Sequence, residues 1–422
     1  MKFIKPEIEK TKLLSKKIED SISTDLDPNL ARVMLPSLLH HPKYLRGSFR
    51  LMRAVRKAKK ARLAALKNGL KVPPFLIFSI TSNCNLSCAG CFAAATGNVY
   101  RVNKESSNRI RTSLSSDQWR KIIREASDLG VMGFVIAGGE PFLFPGLIEL
   151  CVEFRDRFFL ILTNGTRITD KDYTLLKKST NIAILVSVEG KAEFTDTRRG
   201  KGVYERAMDT LDRLSKLGVP NGISVTITRF NYRYWMNKEN LDQLLNQGIR
   251  LGAFIEYIPL TPPPPSCSKQ NQPNTYCTGL PEQDEKTNTW SVETDHLLIL
   301  TPEERSRFRD QILHYRATKP IYLIHSPGDE EFFGGCVSAG RGFAHVTPNG
   351  DLTPCPVSNI ATHNLTTSSL RDALASNLFK EIRDNEHLLE VEGTPCALFS
   401  HPKEVDELAR AVGAYRTGIK LK

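Results

Sequence analysis

The sequence predicts an α/β protein with a parallel sheet, either doubly wound or curved into a full or partial barrel. Six short apolar segments alternate with amphipathic helical segments between residues 75 and 258. This alternation is typical of parallel strands joined by right-handed helical crossovers. The predicted strands cover residues 75–80, 133–137, 158–162, 182–188, 222–228 and 254–258. The predicted helices between them cover residues 116–129, 147–155, 170–178, 203–217 and 238–247.

The composition is that of a globular protein with two or three domains. The chain has 422 residues, of which 40% are hydrophobic and 25% are charged, and this usage excludes a wholly disordered or collagen-like protein. No apolar run approaches the roughly 20 residues that a membrane-spanning helix needs. The first residues lack the apolar core of a secretory signal. We therefore expect a cytoplasmic protein.

The net charge of +12 comes largely from one segment near the N-terminus. Eleven Lys and Arg residues and no acidic residue lie between His41 and Pro73, with apolar residues at helical spacing. The pattern predicts an amphipathic basic helix that ends near Asn68. Its cations either face water while the apolar stripe packs on the next domain, or residues 43–71 contact an anionic membrane surface. Nucleic acid ranks behind both, because no aromatic-interleaved patch accompanies the charge.

The chain divides into four predicted parts. A basic helical extension covers residues 1–72, the βα core covers 73–260, and a Pro-rich polar insertion covers 261–300. An insertion of that length after the sixth strand is expected to act as a lid. A smaller α+β domain covers residues 301–422. It begins with a helix capped by Thr301, and it contains a hairpin over residues 343–354 and helices over 369–385 and 405–412.

Three cysteines follow the first predicted strand at the spacing C-x3-C-x2-C, namely Cys84, Cys88 and Cys91. Thiolates this close in one loop can converge on a metal centre, and soft thiolate ligands favour zinc or iron–sulfur clusters. A structural zinc site is the plainer alternative. Such a site normally closes with a fourth Cys or His nearby, and none follows within easy reach of Cys91.

This cysteine loop resembles the signature of the radical S-adenosylmethionine (radical SAM) superfamily, and three later segments continue the resemblance. Ala137-Gly-Gly-Glu-Pro141 follows the second predicted strand, Thr163-Asn-Gly165 the third, and Ser187-Val-Glu-Gly190 the fourth. The resemblance implies a partial (β/α)6 TIM-like barrel of the radical SAM type. It covers about residues 75–260, with a helical extension before it and a small C-terminal domain after it.

The resemblance also implies cofactors and an activity. Cys84, Cys88 and Cys91 would hold a [4Fe–4S] cluster that reductively cleaves S-adenosylmethionine to a 5′-deoxyadenosyl radical, which abstracts hydrogen from an organic substrate. A one-electron donor such as a ferredoxin or flavodoxin would supply the electron. The S-adenosylmethionine site would include Gly138, Gly139, Glu140, Pro141, Asn164, Ser187 and Glu189. Many members of the family place an adenine-contacting aromatic residue where this chain has Gly90, so Phe92 or another aromatic residue is needed in its place.

A second set of cysteines, Cys336, Cys355 and Cys396, resembles the auxiliary-cluster modules called SPASM or twitch. Three thiols would hold one auxiliary cluster, either with an open position or with a ligand borrowed from Cys267 or Cys277. Those two residues could equally be a free pair or a loop clip. The plainer alternative is that the three thiols of the set are simply buried. Cys151 lies in a helical pattern and is expected in the core.

Two other functions stay open at this stage. An iron–sulfur protein that transfers electrons or senses redox state would hold a cluster without cleaving S-adenosylmethionine. A zinc-stabilised nucleic-acid-binding module would take up zinc and bind in a salt-dependent manner. The substrate is left open among peptides, lipids or isoprenoids, and cofactor precursors. No catalytic residue is assigned.

Overall fold

Nine strands form one curved sheet in the computed structural model, which describes residues 43–101, 113–259, 283–284, 289–290, 296–391 and 394–417. The strand order is β11-β8-β7-β6-β5-β4-β1-β12-β13, and every neighbouring pair is parallel except the last. These strands are β1 (Phe75–Ser79), β4 (Gly133–Ala137), β5 (Phe158–Thr163), β6 (Ile182–Ser187), β7 (Asn221–Ile227), β8 (Leu251–Glu256), β11 (Tyr322–Ser326), β12 (Phe343–Val346) and β13 (Leu352–Thr353). The order is linear and unclosed, which makes the sheet a half-barrel.

Short strand pairs lie outside this sheet. They are β2 (Asn83–Cys84) with β3 (Tyr100–Arg101), β9 (Gln283–Asp284) with β10 (Thr289–Trp290), and β14 (Ile360–Ala361) with β15 (Tyr415–Arg416). The helices are α1 (Lys43–Lys67), α2 (Phe92–Ala95), α3 (Ser116–Leu129), α4 (Leu147–Glu153), α5 (Asp170–Lys178), α6 (Ala192–Arg199), α7 (Val203–Lys216), α8 (Tyr232–Met236), α9 (Lys238–Asn246), α10 (Pro302–Thr318), α11 (Leu370–Leu374), α12 (Asn377–Asp384), α13 (Ala397–Ser400) and α14 (Pro402–Ala411).

One face of the sheet packs against the helices through large apolar side chains. Phe78 of β1 lies 4.8 Å, ring centroid to ring centroid, from Trp119 of α3, and Phe254 of β8 lies 5.7 Å from Phe308 of α10. All four side chains are fully buried. Strand residues alternate between the two faces of the sheet. The residues next to these buried side chains along each strand therefore point to the opposite face.

The opposite, concave face of the sheet carries no Asp, Glu, Lys or Arg on the described strands. Its members lie in register across the sheet, and Ile255 of β8 and Ile324 of β11 are each 38% exposed. Its apolar members include Ile77, Val135, Leu160, Leu162, Leu185, Ile255 and Ile324. The half-barrel therefore presents an uncharged inner wall.

The predicted elements of the core are confirmed. All six predicted strands are present, although the sixth begins at Leu251 and ends at Glu256, earlier than predicted. All five predicted helices are present, with ends that differ by two residues at most. The periodicity did not predict the short helices α6 and α8. The partial barrel expected from the family resemblance is also confirmed.

The structure differs from the predicted boundary near residue 300. Residues 301–422 were assigned to a separate C-terminal domain, yet α10 and β11 add a further βα unit to the core sheet, because β11 pairs in parallel with β8. Strand β12 of the predicted hairpin likewise pairs in parallel with β1. The hairpin itself is confirmed, since β12 and β13 are antiparallel. Most of the predicted insertion over residues 261–300 lies outside the described residues.

Helix α1 confirms the predicted basic helix, and its contacts show which face is buried. Ala54, Ala58 and Ala65 are buried, and the Arg62 guanidinium donates a hydrogen bond of 2.6 Å to the carbonyl oxygen of Gly130, which follows α3. Three large apolar residues of α1 face solvent and do not pack on the core, namely Phe49, Leu63 and Leu66. In the described part of the chain, no helix is both long and apolar enough to cross a bilayer.

Candidate active site

The three predicted cluster ligands lie in one loop at the carboxyl end of β1. Cys84 ends β2, and Cys91 is the residue immediately before α2, with extended backbone. All three thiols are free and partly exposed, so an added group can reach them. Burial, together with the charges of Cys88, Glu140 and Cys91, raises the pKa of the Cys84 thiol to about 12. Thiols bind metals as thiolates, so metal binding at this loop releases protons.

The three thiols of the cysteine loop are not as close together as the sulfur ligands of a single zinc ion. Around a single zinc ion, with Zn–S bonds of about 2.3 Å, tetrahedral sulfur atoms lie roughly 3.8 Å apart. Among the described residues, the one set of three potential ligands whose atoms all lie within 4.8 Å of one another is His387, His401 and Glu404. Neither set of three thiols is that tight. The observation argues against the zinc alternative.

The Gly-Gly-Glu-Pro segment lies directly against the cysteine loop. The backbone N–H of Gly139 donates to the carbonyl oxygen of Thr81, and that of Glu140 donates to the carbonyl oxygen of Asn83, both at 2.8 Å. A methyl group on Gly139 would lie 1.9 Å from the Asn83 oxygen, so only glycine permits this approach. Gly138 has φ +123°, which also favours glycine. The two glycines therefore hold this segment beside the predicted cluster.

The carboxylate of Glu140 is buried and already accepts three hydrogen bonds. Thr163 Oγ1 donates to it at 2.6 Å, the Asn164 N–H at 2.8 Å and the Phe142 N–H at 3.1 Å. Burial raises the pKa of Glu140, although these hydrogen bonds oppose the shift. Its carboxylate thus joins the ends of β4 and β5. Pro141 follows it at the start of a short 3-10 turn.

Asn164 follows β5 and links the end of this strand to the cysteine loop. Its side-chain amide donates to Asn85 Oδ1 at 3.1 Å, and Asn85 in turn donates to Thr166 Oγ1 at 2.9 Å. Asn85 stands between Cys84 and Cys88 and was not singled out from the sequence. Three strand ends thus meet at the cysteines, as expected for functional residues on parallel strands.

Glu189 is buried between two arginines that the sequence analysis missed. Arg198 Nη1 donates to Glu189 Oε1 at 2.6 Å, Arg199 Nη2 lies 2.7 Å from the same oxygen, and the Thr226 N–H donates to Oε2 at 3.0 Å. Burial would raise the pKa of Glu189, but the charges of Arg198 and Arg199 outweigh it and hold the pKa below its usual range. Ser187 ends β6 two residues earlier and is partly buried.

Arg198 also contacts the cysteine loop. The N–H of Ala89 donates to its carbonyl oxygen at 2.8 Å, and its guanidinium interacts with the charges of Cys88 and Cys91. A buried cation beside a set of thiolates stabilises their negative charge. The sequence offers only a weak signal for this role, because Arg198 lies in α6, which the periodicity did not predict.

Tyr257 fills the space beside Gly90, the position where the expected aromatic residue is missing. A methyl group on Gly90 would lie 2.6 Å from Cε2 and Oη of Tyr257. Tyr257 follows the end of β8 and is buried. Phe92, the substitute considered first, is exposed on α2. A cavity of about 240 Å³ adjoins Tyr257, and its lining includes Glu189, Arg198, Thr226 and Asn231.

The fold also brings the second set of cysteines, Cys336, Cys355 and Cys396, close to one another. Cys336 and Cys355 are buried, Cys396 is partly buried, and the charge of Cys336 interacts with those of both other cysteines. Burial raises the pKa of Cys396 to about 11. Cys151 lies in the core, as predicted. Cys267 and Cys277 lie outside the described residues.

The half-barrel, with three thiols at the ends of its strands, has the residues that an α/β protein needs to hold a metal cluster. Residues 78–244 match the radical SAM superfamily, and residues 336–397 match the iron–sulfur cluster-binding domain SPASM. The chain therefore carries a radical SAM domain followed by a SPASM domain.

Proteins with similar sequences support this assignment. The chain is 28% identical over 187 residues to the sporulation killing factor maturation protein SkfB of Bacillus subtilis, a match that covers 44% of this chain and 42% of SkfB. It is 27% identical over 331 residues to the mycofactocin maturase MftC of Mycolicibacterium smegmatis, which covers 75% of this chain and 74% of MftC. The match therefore spans less than half of the SkfB protein and about three quarters of MftC.

Solved structures share the fold. SuiB of Streptococcus suis, bound to its precursor peptide SuiA, superposes with a TM-score of 0.58 and 18% identity, over 78% of this chain and 71% of SuiB. The predicted enzyme class is confirmed, and the electron-transfer alternative is not favoured. The radical SAM domain implies a [4Fe–4S] cluster and S-adenosylmethionine, and the SPASM domain implies auxiliary iron–sulfur cluster binding. When bound, these cofactors supply one-electron radical chemistry, while the protein positions cofactor and substrate.

Proposed function

We propose that this enzyme modifies an uncharged side chain of a precursor peptide by S-adenosylmethionine radical chemistry. The observation that carries this proposal is the uncharged inner wall of the half-barrel, with Ile255 exposed on β8 and Ile324 exposed on the edge strand β11. An apolar wall favours an apolar group, because a bound charge would lose its hydration without a partner. MftC is by name a maturase, and SuiB was solved with a precursor peptide.

The uncharged inner wall also favours a peptide substrate over a cofactor precursor such as a porphyrin. A tetrapyrrole with several carboxylates would need cations beside them. The described strands place no Lys or Arg on the inner wall. An apolar peptide side chain needs none, and the rest of the peptide can extend through the open side of the half-barrel.

The proposed cofactor contacts follow the geometry at the strand ends. Cys84, Cys88 and Cys91 ligate the [4Fe–4S] cluster. The backbone of Gly138, Gly139 and Glu140 faces the amino acid part of S-adenosylmethionine, with Pro141, Asn164, Ser187 and Glu189 forming the rest of its site. Tyr257 contacts the adenine in place of an aromatic residue at position 90, because it adjoins both Gly90 and the cavity. Cys336, Cys355 and Cys396 hold an auxiliary cluster.

The activity test uses the full chain, purified and reconstituted with iron and sulfide without oxygen. Dithionite and S-adenosylmethionine are added with either a synthetic peptide library or coproporphyrin, and 5′-deoxyadenosine is measured by mass spectrometry. We expect product from the native chain and none from Cys84→Ala, with stimulation by peptides that lose hydrogen. Stimulation by coproporphyrin alone would overturn the peptide assignment. No product from a reduced, cluster-loaded chain under any condition would overturn the proposed activity.

An inner-wall variant separates substrate binding from cofactor chemistry. Ile255→Arg places an unpaired cation on the wall, and Ile255→Val is its matched control. We expect Ile255→Arg to abolish peptide modification while S-adenosylmethionine binding changes less than twofold. Equal loss of both properties would indicate a general defect instead.

We further propose that the exposed face of α1 contacts an anionic membrane surface. This face combines Phe49, Leu63 and Leu66 with exposed cations, whereas the opposite face packs on the core. Apolar side chains beside cations are what an interfacial helix needs. The exposed cations are Arg50, Arg53, Arg56, Lys57, Lys60 and Lys67.

Electrons come from a ferredoxin or flavodoxin, whose acidic surface the net charge of +12 would attract.

Sedimentation with vesicles tests the membrane contact. We expect the full chain to bind vesicles that contain phosphatidylglycerol and to stay free of pure phosphatidylcholine. The variant Phe49→Ser/Leu63→Ser/Leu66→Ser keeps every charge and should lose most of this binding. Binding that is unchanged in the triple variant, or absent from the native chain, would contradict the proposal.

A further inference from the structure

One acidic residue lies among the three C-terminal cysteines. Glu330 begins the short 3-10 turn Glu330–Phe333 that follows β11. Ser326 Oγ donates a hydrogen bond of 3.0 Å to its carboxylate, and the Cys336 thiol and the backbone N–H of Val337 lie close enough to interact with it. Cys336, Cys355 and Cys396 each interact with the charge of Glu330. The four groups therefore form one cluster of side chains.

The backbone around this cluster is built for close approach. The Gly335 N–H donates to the carbonyl oxygen of Glu330 at 3.0 Å, and the Cys336 N–H donates to that of Leu389 at 2.7 Å. Gly335 has φ +103°, and a methyl group there would lie 2.2 Å from the Leu389 oxygen. The turn that carries Glu330 is thus tied to the loop that carries Cys336.

The charges and the supply of thiols both favour a role for this carboxylate. Arg341 interacts with the charges of Cys336 and Glu330, and its guanidinium donates to the Phe333 carbonyl oxygen at 3.1 Å. Among the described cysteines outside this set, three belong to the N-terminal loop and Cys151 is buried in α4. The described residues therefore offer no fourth thiol here, whereas the Glu330 carboxylate lies near enough to interact with all three cysteines.

We propose that Glu330 supplies a carboxylate oxygen as the fourth ligand of an auxiliary [4Fe–4S] cluster held by Cys336, Cys355 and Cys396. The inference rests on the proposed auxiliary cluster at these three cysteines. An anionic oxygen can replace a thiolate on iron at the same charge, and Arg341 stabilises the resulting negative set. One iron of the cluster then differs from the other three in its ligand.

The test isolates this cluster in the full chain. The background variant Cys84→Ala/Cys88→Ala/Cys91→Ala removes the N-terminal site, and the protein is reconstituted with ⁵⁷Fe and sulfide without oxygen. Iron and sulfide content, Mössbauer spectra and the reduction potential are then compared among the background chain, Glu330→Gln and Glu330→Cys. Glu331→Gln is the matched control, because this neighbouring glutamate pairs with Arg309 instead.

We expect about four irons per background chain, with one iron showing the Mössbauer parameters of an oxygen ligand. Glu330→Gln should lose that iron and about a quarter of the metal. Glu330→Cys should retain the metal, show only thiolate-ligated iron and have a lower potential. Glu331→Gln should match the background chain.

Failure of the Glu330 inference can be distinguished from failure of the proposed auxiliary cluster. A background chain that takes up no iron overturns the auxiliary-cluster proposal together with the inference. A loaded cluster whose spectrum and iron content are the same in Glu330→Gln overturns the inference alone. Equal loss of all iron from Glu330→Gln and Glu330→Cys also overturns it, since Glu330 would then serve only to fold the turn.

Discussion

Tyr257 and Gly90 lie in direct contact, although they are 167 positions apart in the chain: a methyl group on Gly90 would lie 2.6 Å from the Tyr257 ring. The contact joins the end of β8 to the cysteine loop. It places an aromatic ring next to Cys91 without an aromatic residue in the loop itself. Glycine at position 90 and tyrosine at 257 are thus complementary in size.

Tyr257→Ala should weaken S-adenosylmethionine binding about tenfold, because a base that stacks on an aromatic ring gains roughly 1–3 kcal/mol. Tyr257→Phe keeps the ring and should stay within about twofold of the native affinity. Calorimetric titration of the anaerobically reconstituted protein measures both affinities. Phe92→Ala is the control, since Phe92 is exposed. A greater loss in Phe92→Ala than in Tyr257→Ala would place the adenine elsewhere.

Gly139→Ala should separate the Gly-Gly-Glu-Pro segment from the cysteine loop. The new methyl group would lie 1.9 Å from the backbone oxygen of Asn83, which no side-chain rotation relieves. We expect a loss of about 1–3 kcal/mol in the free energy of unfolding and at least tenfold weaker S-adenosylmethionine binding.

Urea unfolding and calorimetric titration measure these two effects of Gly139→Ala. Gly146→Ala is the control, because Gly146 has φ +74° but no atom within 4 Å of the added methyl group. It should lose some stability through backbone strain and keep the native affinity for S-adenosylmethionine. If the two variants bind S-adenosylmethionine equally well, the close approach at Gly139 does not shape the site.

Arg198→Gln should lower the reduction potential of the N-terminal cluster by about 50–100 mV. The buried guanidinium interacts with Cys88 and Cys91, and removal of a nearby positive charge disfavours the more negative, reduced cluster. Arg199→Gln removes the other cation that pairs with Glu189, and we expect a smaller change of potential in this variant, since Arg198 also donates a hydrogen bond of 3.5 Å to the Gly90 carbonyl oxygen in the cysteine loop. Redox titration followed by electron paramagnetic resonance measures both. Equal changes of potential in Arg198→Gln and Arg199→Gln would mean that both arginines act on the cluster only through the charge of Glu189.

Much of the core and the first cysteine site could be predicted from the sequence, because both depend on local patterns. The strands after β1 show period-two or continuous apolar runs, and Cys84, Cys88 and Cys91 lie within eight residues of one another. The partners found only in the structure lie far away in sequence. Tyr257 meets Gly90 across the barrel, Arg198 reaches the cysteine loop from α6, and a long insertion separates β11 from β8.

The second cysteine set shows the same limit. Its three thiols are spaced irregularly, and the fourth group that contacts them is a glutamate, which no cysteine count detects. Glu330 resembles any exposed acidic residue in its local sequence. Only the turn after β11 and the parallel pairing of β12 with β1 bring it to the thiols. Function-bearing contacts between distant elements thus escape a pattern-based prediction.

His345 should make the protein less stable as the pH falls from 7 to 5. Its ring is fully buried between hydroxyl groups, with Nε2 2.8 Å from Ser79 Oγ and Nδ1 2.8 Å from Thr353 Oγ1. Burial lowers the pKa of His345 to about 3. Below the unfolded-state pKa of about 6.5, the unfolded chain takes up a proton that the folded chain does not, so stability falls until the pH reaches about 3. At pH 5 this difference amounts to about 2 kcal/mol.

His345→Gln keeps hydrogen-bonding groups at this position but cannot titrate, so the stability difference between pH 7 and pH 5 should shrink by about 2 kcal/mol. Urea unfolding of both proteins at the two pH values measures this difference. The control is His387→Gln, which replaces an exposed histidine instead of a buried one. The interval stays above the range in which paired carboxylates such as Glu189 take up protons, so their contribution is small. An unchanged pH dependence in His345→Gln would show that the ring becomes protonated within the folded protein.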